Sequence, residues 1–180
     1  ASSPDGTTVH AAPYDGNMWR STDAGQTWTE GNISKTWGCV TAAHGGYVFA
    51  AVSGNSLGKI WYSTNSGQTW TETTSSSLSS GQYWKSIASS SDGSKVYAVA
   101  RNGNIWRSSN FAATWQEVTS TGFTKDWQDI DCSANGTRVF AIVNDGKIWR
   151  SVDSGNSWSS VTTVGNKEWR KVQVASDGSH

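Results

Sequence analysis

Three segments of the chain share the pattern Lys-x-Trp: Lys35-Thr36-Trp37, Lys125-Asp126-Trp127 and Lys167-Glu168-Trp169. A fourth, Gln82-Tyr83-Trp84, departs from it in its first residue. A flat indole beside a cation and short polar side chains suits sugar recognition. The ring covers the apolar face of a pyranose, while nearby Lys, Asn and Asp bond its hydroxyls. The candidate ligand-binding residues are therefore Trp37, Trp84, Trp127, Trp169, Lys35, Lys125 and Lys167. Repetition would give several equivalent weak sites that gain avidity on a multivalent glycan. A plainer reading stands beside this one, in which each Trp packs between structural units with the Lys stem along it.

Catalytic chemistry finds less support. Asp126, Asp129, Asp131 and Glu168 are the nearest approach to a glycosidase carboxylate pair, and none has a recognisable partner motif. His10, His44 and His180 lack metal-ligand spacing. No nucleophile elbow or phosphate loop occurs. The expectation is a protein that is not an enzyme, with no cofactor and no metal. Cys39 and Cys132 read as two free, half-buried thiols, with a disulfide left open. Net charge is zero with scattered basic residues, which argues against a nucleic-acid partner. No apolar run approaches the roughly 20 residues of a spanning helix, so no membrane partner is expected either. The sequons at Asn32 and Asn135 do not fix the compartment, which leans only weakly towards the extracellular side.

The elements that must position these residues are legible as a repeat. Trp19, Trp61, Trp106 and Trp149 lie at spacings of 42, 45 and 43 in Ile/Met-Trp-Arg/Tyr-Ser. Trp28, Trp70, Trp115 and Trp158 each follow nine residues later, and Trp37, Trp84, Trp127 and Trp169 open a third segment. These three series account for all 12 Trp. In the unit from Trp84 to Asp126, strands are expected at Trp84–Ala88, Lys95–Ala100, Ile105–Ser108 and Thr114–Val118. Asp-Gly and Asn-Gly turns separate them. A four-stranded meander of about 40–50 residues, repeated, is the signature of a propeller blade.

Between the third and fourth strands stand Ser21-Thr22-Asp23-Ala24-Gly25-Gln26-Thr27-Trp28 and its counterparts at Ser63–Trp70, Ser108–Trp115 and Ser151–Trp158. These resemble the Asp-box (BNR repeat) of the sialidase-like propeller family, Ser/Thr-x-Asp-x-Gly-x-Thr-Trp. Asp23, Asn65, Asn110 and Asp153 occupy the acid position, and Trp28, Trp70, Trp115 and Trp158 the anchor. The physical reading makes the box a folding device: the short side chain bonds turn amides, Gly relieves strain, and Trp enters the core. Ala112 replaces the Gly of the third box, which predicts the least regular turn of the four. Sialidases of this family use three arginines, a Tyr/Glu pair and a general acid. Here Arg20, Arg107 and Arg150 recur at one repeat position and read as scaffold, so the resemblance implies a non-catalytic member or fragment.

The expected fold is all-β: a β-propeller of four-stranded antiparallel blades, with four Asp-box repeats in a single array over 1–180. Blades are expected at about 37–83, 84–126 and 127–168, with one divided between 169–180 and 1–36. Joining the divided blade within one chain gives a four-bladed ring. Joining it between chains gives a homodimer with an eight-bladed ring, or a higher homo-oligomer. The functional expectation is a lectin-like module binding glycans. The rival is a structural or self-assembling propeller fragment, or an engineered array; a fragment of a glycoside hydrolase ranks below both.

Overall fold

The computed structural model describes residues 1–53, 57–78 and 80–178. The first sheet runs β1 (Val9–Ala11), β2 (Gly16–Ser21), β3 (Thr29–Lys35). The second holds β4 (Trp37–Ala42), β5 (Val48–Val52), β6 (Ile60–Ser63) and β7 (Thr71–Glu72). The third holds β8 (Trp84–Ser89), β9 (Val96–Ala100), β10 (Ile105–Ser108) and β11 (Gln116–Val118). The fourth holds β12 (Trp127–Cys132), β13 (Val139–Val143), β14 (Ile148–Ser151) and β15 (Ser159–Val161). Each sheet is an antiparallel meander in chain order, and together they are blades I to IV of a β-propeller.

The core lies in the seams between blades. One apolar cluster joins blades I and II around Met18, Trp37, Val48, Ala50 and Trp70. A second joins II and III around Phe49, Ile60, Trp84, Trp106 and Trp115. A third joins III and IV around Val99, Ile105, Trp127, Ile130 and Trp158. A second strand such as β9 is covered on both faces by neighbouring blades. This is why Val96–Ala100 is an unbroken apolar run rather than an alternating one, and every residue of it is buried.

At the entry to each inner strand the register slips: between Trp37 and Cys39, Trp84 and Ser86, and Trp127 and Asp129. A bulge at this point re-aims the side chain before it, here the opening Trp.

Box turns II to IV face the preceding blade, and their Trp are buried there; Trp28 of blade I has no such neighbour and is 41% exposed. Residues 169–178 run beside β12, where the next blade's inner strand would lie. The amides of Val172 and Val174 donate to the carboxylates of Asp129 and Asp131 at 2.9 and 2.7 Å. This segment forms no ladder with another strand among the described residues. Among the described residues no backbone hydrogen bond joins it to β1, whose partners are β2 and the short stretch around Ser2.

The third box turn corrects its expectation. Ala112 has φ +63 and Phe111 φ +59, the same left-handed pair as Ser154 and Gly155 at +59 and +77. The turn keeps its shape because Thr114 N still donates to Asn110 Oδ1 at 2.9 Å and Ala112 N to Ser108 Oγ at 3.1 Å. The side-chain bonds hold the alanine where glycine would sit without strain.

Candidate functional site

The box side chains act locally. Asp23 accepts from Ser21 Oγ at 2.6 Å and from the Thr27 amide at 2.8 Å. Asp153 accepts from the Ser157 amide at 2.9 Å and the Ser157 hydroxyl at 2.5 Å. The hydroxyl of Ser21 holds the Asp23 carboxyl down at about 2, and that of Ser157 does the same for Asp153. Where Asn replaces Asp, the hydroxyl bond reverses: Asn65 Nδ2 donates to Thr69 Oγ1, and Asn110 Nδ2 to Thr114 Oγ1, each at 2.9 Å. Trp28, Trp115 and Trp158 close their turns by donating Nε1 to the carbonyls of Gly25, Ala112 and Gly155. Trp70 Nε1 is buried without such a partner.

Three of the four opening Trp residues are sealed in the seams and offer no ring face at the surface. Trp37, Trp84 and Trp127 are 2%, 1% and 0% exposed. Each donates Nε1 to a glycine carbonyl of the preceding blade, at Gly16 (3.2 Å), Gly58 (3.0 Å) and Gly103 (3.2 Å). Trp169 is half-buried and repeats the bond to Gly146 at 2.9 Å. These rings are staples across the seams, and three of them have no free face. The signal was present: the glycine before the third strand recurs in every blade together with the Trp it receives.

The lysines stay near the surface. Lys35 Nζ stands 5.0 Å from the ring centre of Trp61. Lys125 Nζ stands 5.0 Å from Trp149 and 5.3 Å from Phe123, and partial desolvation lowers its pKa. Lys167 is exposed.

One residue before each staple begins a different layer. Backbone bonds link Ser53 N to Thr36 O (2.8 Å), Arg101 N to Tyr83 O (2.7 Å) and Asn144 N to Asp126 O (2.9 Å). These pairs stand where the loops after the second and fourth strands emerge, at the mouth of the propeller. Arg101 Nε lies 4.0 Å from Asp126 Oδ1, and Asn144 Nδ2 donates to Asp126 Oδ2 at 3.3 Å. Tyr83, Arg101, Asp126 and Asn144 therefore form a continuous patch across blades III and IV. Tyr83 is 42% exposed, and on the same face are Tyr14 (69%) and Phe123 (87%). The Lys-x-Trp pattern does not pick out Tyr83 or Arg101, because it follows the Trp that the seam buries. The expected loop from Ser53 to Gly58 lies partly outside the described residues.

The remaining candidates are dispersed. Asp129 is buried on β12 and takes Lys171 Nζ at 3.3 Å; Asp131 bonds the Cys132 and Val174 amides, and burial raises its pKa. Glu168 pairs with Arg170 at 3.1 Å on the surface. Cys39 and Cys132 are free thiols, each pushed up to about 12 by burial. His10 is buried in the seam between blades I and II, His44 lies in the short turn His44–Gly46, and His180 is outside the described residues. Among the described residues no group of three His, Cys, Asp or Glu is arranged for a metal ion.

No family model and no curated protein sequence matches the chain. Solved structures do. YCF48 from Cyanidioschyzon merolae superimposes with a TM-score of 0.70 at 15% identity, over 94% of this chain and 59% of that one. The GH74 xyloglucanase from Xanthomonas campestris gives 0.68 at 16% identity, over 91% and 29%. A chain of a nidogen/laminin complex gives 0.63 at 13% identity, over 88% and 63%. All are β-propellers, and the likeness shows the fold. The chain spans less than two thirds of the length of each of these structures.

Proposed function

We propose that this chain is a non-catalytic Asp-box propeller module, akin to the sialidase-like scaffold, that binds carbohydrate at its mouth face. One observation carries the reading. At the staple the four blades agree, Trp37, Trp84, Trp127 and Trp169. At the position before it they read Thr36, Tyr83, Asp126 and Glu168; the backbone partners of the first three are Ser53, Arg101 and Asn144, and Tyr14 holds that repeat position in blade I. A repeat that keeps its scaffold and varies its mouth has one distinctive surface there. The chemistry of that surface, an exposed Tyr beside an Arg, an Asp and an Asn, offers an aromatic face with both donors and acceptors. The xyloglucanase among the similar structures is a polysaccharide-acting enzyme by its name, which is in keeping with a sugar ligand but adds only fold-level support. The test is a glycan array probed with the native chain and with the double variant Tyr83→Ala/Arg101→Gln. Binding by the native chain that the folded variant loses supports the reading; silence of the native chain across the array removes it.

A second reading is favoured by the exposed Trp28. Its three counterparts are buried against a preceding blade, so the outer face of blade I fits the last blade of a second copy of the chain. Segment 169–178 would then pair with that copy's β1 to complete a divided blade. The mass in solution by light scattering tests this: twice the chain mass supports it, and the chain mass alone contradicts it.

A further inference from the structure

The groove between adjacent blades on the Asp-box face is built from the same repeat positions each time, but the three grooves are finished differently. Between blades II and III it is plugged. Tyr47 and Phe111 stack there with ring centres 4.6 Å apart, and Tyr47 also lies parallel to Phe49. Between blades I and II, the box residue at Phe111's position is Ser66, which lines a cavity of about 80 Å³ together with the first turns of both blades. Between blades III and IV the position of Tyr47 is held by Lys95 and that of Phe111 by Ser154. A cavity of about 360 Å³ opens there, within the size range of ligand sites.

The lining of this third groove has a definite chemistry. Lys95 and Arg107 are its charged residues, and no carboxylate lines it. Arg107 spends two of its five N–H donors on Ser154 O (3.3 Å) and Gln116 Oε1 (2.7 Å), which fixes the plane of the guanidinium. Lys95 Nζ gives one bond, to Asn135 O at 2.7 Å, and keeps two donors. The Asn at the third box matters here. Asn110 donates to Thr114 Oγ1, so the Thr114 hydroxyl keeps its own proton to donate into the groove. The Gln116 carboxamide presents its NH2 group for the same reason, its oxygen being taken by Arg107. Blade IV's acid, Asp153, does not line the cavity and is bonded within its own turn. The floor is aromatic, with Tyr97 anchored through its hydroxyl to Gly136 O at 2.7 Å and Trp115 beside it.

We propose that this groove binds a sugar acid, with the ligand carboxylate between Arg107 and Lys95 and its ring hydroxyls accepting from Thr114 and Gln116. A planar guanidinium held by its own bonds is suited to a carboxylate, and the surplus of donors over acceptors selects an anionic ligand over a neutral one. The site lies on the face opposite the mouth, so it stands or falls independently of the reading above.

The test is titration of the native chain with glucuronate, glucose and inorganic sulfate, followed by isotope-edited NMR of the backbone amides. Glucuronate is expected to saturate and to shift the amides around Arg107, Thr114 and Ser154, while glucose at the same concentrations does not. Arg107→Gln should weaken glucuronate about tenfold or more. Lys95→Tyr/Ser154→Phe rebuilds the plug found between blades II and III, and should abolish binding while the fold is kept. In Tyr83→Ala/Arg101→Gln the glucuronate-induced shifts of the amides around Arg107, Thr114 and Ser154 should be unchanged, because these residues lie on the opposite face. Competition by sulfate at the same amides marks the shared oxyanion contact and agrees with the proposal. Sulfate binding without glucuronate binding, an equal response to glucose, or unaltered glucuronate binding in the plugged variant would overturn it.

Discussion

Trp84 and Tyr83 are neighbours in sequence and belong to different parts of the molecule. Trp84 is sealed in the seam, its Nε1 on Gly58 O, and the same residue does the same work in every blade. Tyr83 is half in solvent, its carbonyl bonded to Arg101, and no other blade has a Tyr there. The difference teaches how to read a repeat protein. At this pair of positions the residue that agrees between blades is held by packing between them, and the one that differs is left free to meet something else. Abundance of aromatic residues does not separate the two, but variation within the repeat does.

The largest effect should come from the seam. Trp84→Ala or Trp127→Ala removes a fully buried indole and orphans a glycine carbonyl, which costs about 3–5 kcal/mol. Urea unfolding followed by far-UV circular dichroism should show the midpoint collapse or the fold lost. A near-native midpoint would mean that these rings are not staples.

A second effect tests the one seam where the aromatic pattern is broken. His10 stands at the repeat position of Phe49, Tyr97 and Phe140, and neither ring nitrogen has a hydrogen-bond partner among the described residues. Burial, then the N-terminal ammonium, then Arg20 lower its pKa to about 4. The unfolded chain takes up this proton near the ordinary value of 6.5, and the folded chain does not until about 4. The His10 contribution is therefore complete above about pH 6.5 and is lost as pH falls towards 4, by up to about 3 kcal/mol. His10→Phe should flatten the dependence of the unfolding midpoint over that window; an unchanged slope would place its cause elsewhere.

A smaller loss is expected at the box turns. Gly155 has φ +77, and a Cβ added there meets the Tyr97 ring at 3.1 Å. Gly155→Ala should cost about 1–2 kcal/mol, read as a lowered thermal midpoint. Ala112 shows that the turn itself tolerates the methyl, so a much larger loss would mean that the Tyr97 contact dominates.

Much of the scaffold was legible in the chain. In blade III the expected third strand coincides with β10, and the other three differ from β8, β9 and β11 by one or two residues at one end, because Gly, Asn and Asp punctuate runs whose length suits a strand. The site was read less well, for a physical reason. A Trp after a surface loop looks exposed, and only the bulge at Lys85 or Gln128, invisible in composition, turns it into the seam. Arg101 and Asp126 are 25 residues apart, and no local pattern announces that their side chains meet. The open groove at Arg107 was hidden in the same way, because Arg107 shares its repeat position with Arg20 and Arg150 and reads as scaffold until the missing plug beside it is seen.

At the entry to each inner strand, the varied residue before the Trp and not the Trp itself faces the mouth ligand. The most direct test pairs glycan binding with the unfolding midpoint for Tyr83→Ala/Arg101→Gln against the native chain. Binding of neutral glycans should be lost with the midpoint unchanged to within about 0.5 kcal/mol, as for surface substitutions. Neutral glycans bound at native strength by that variant would contradict a ligand site at the mouth.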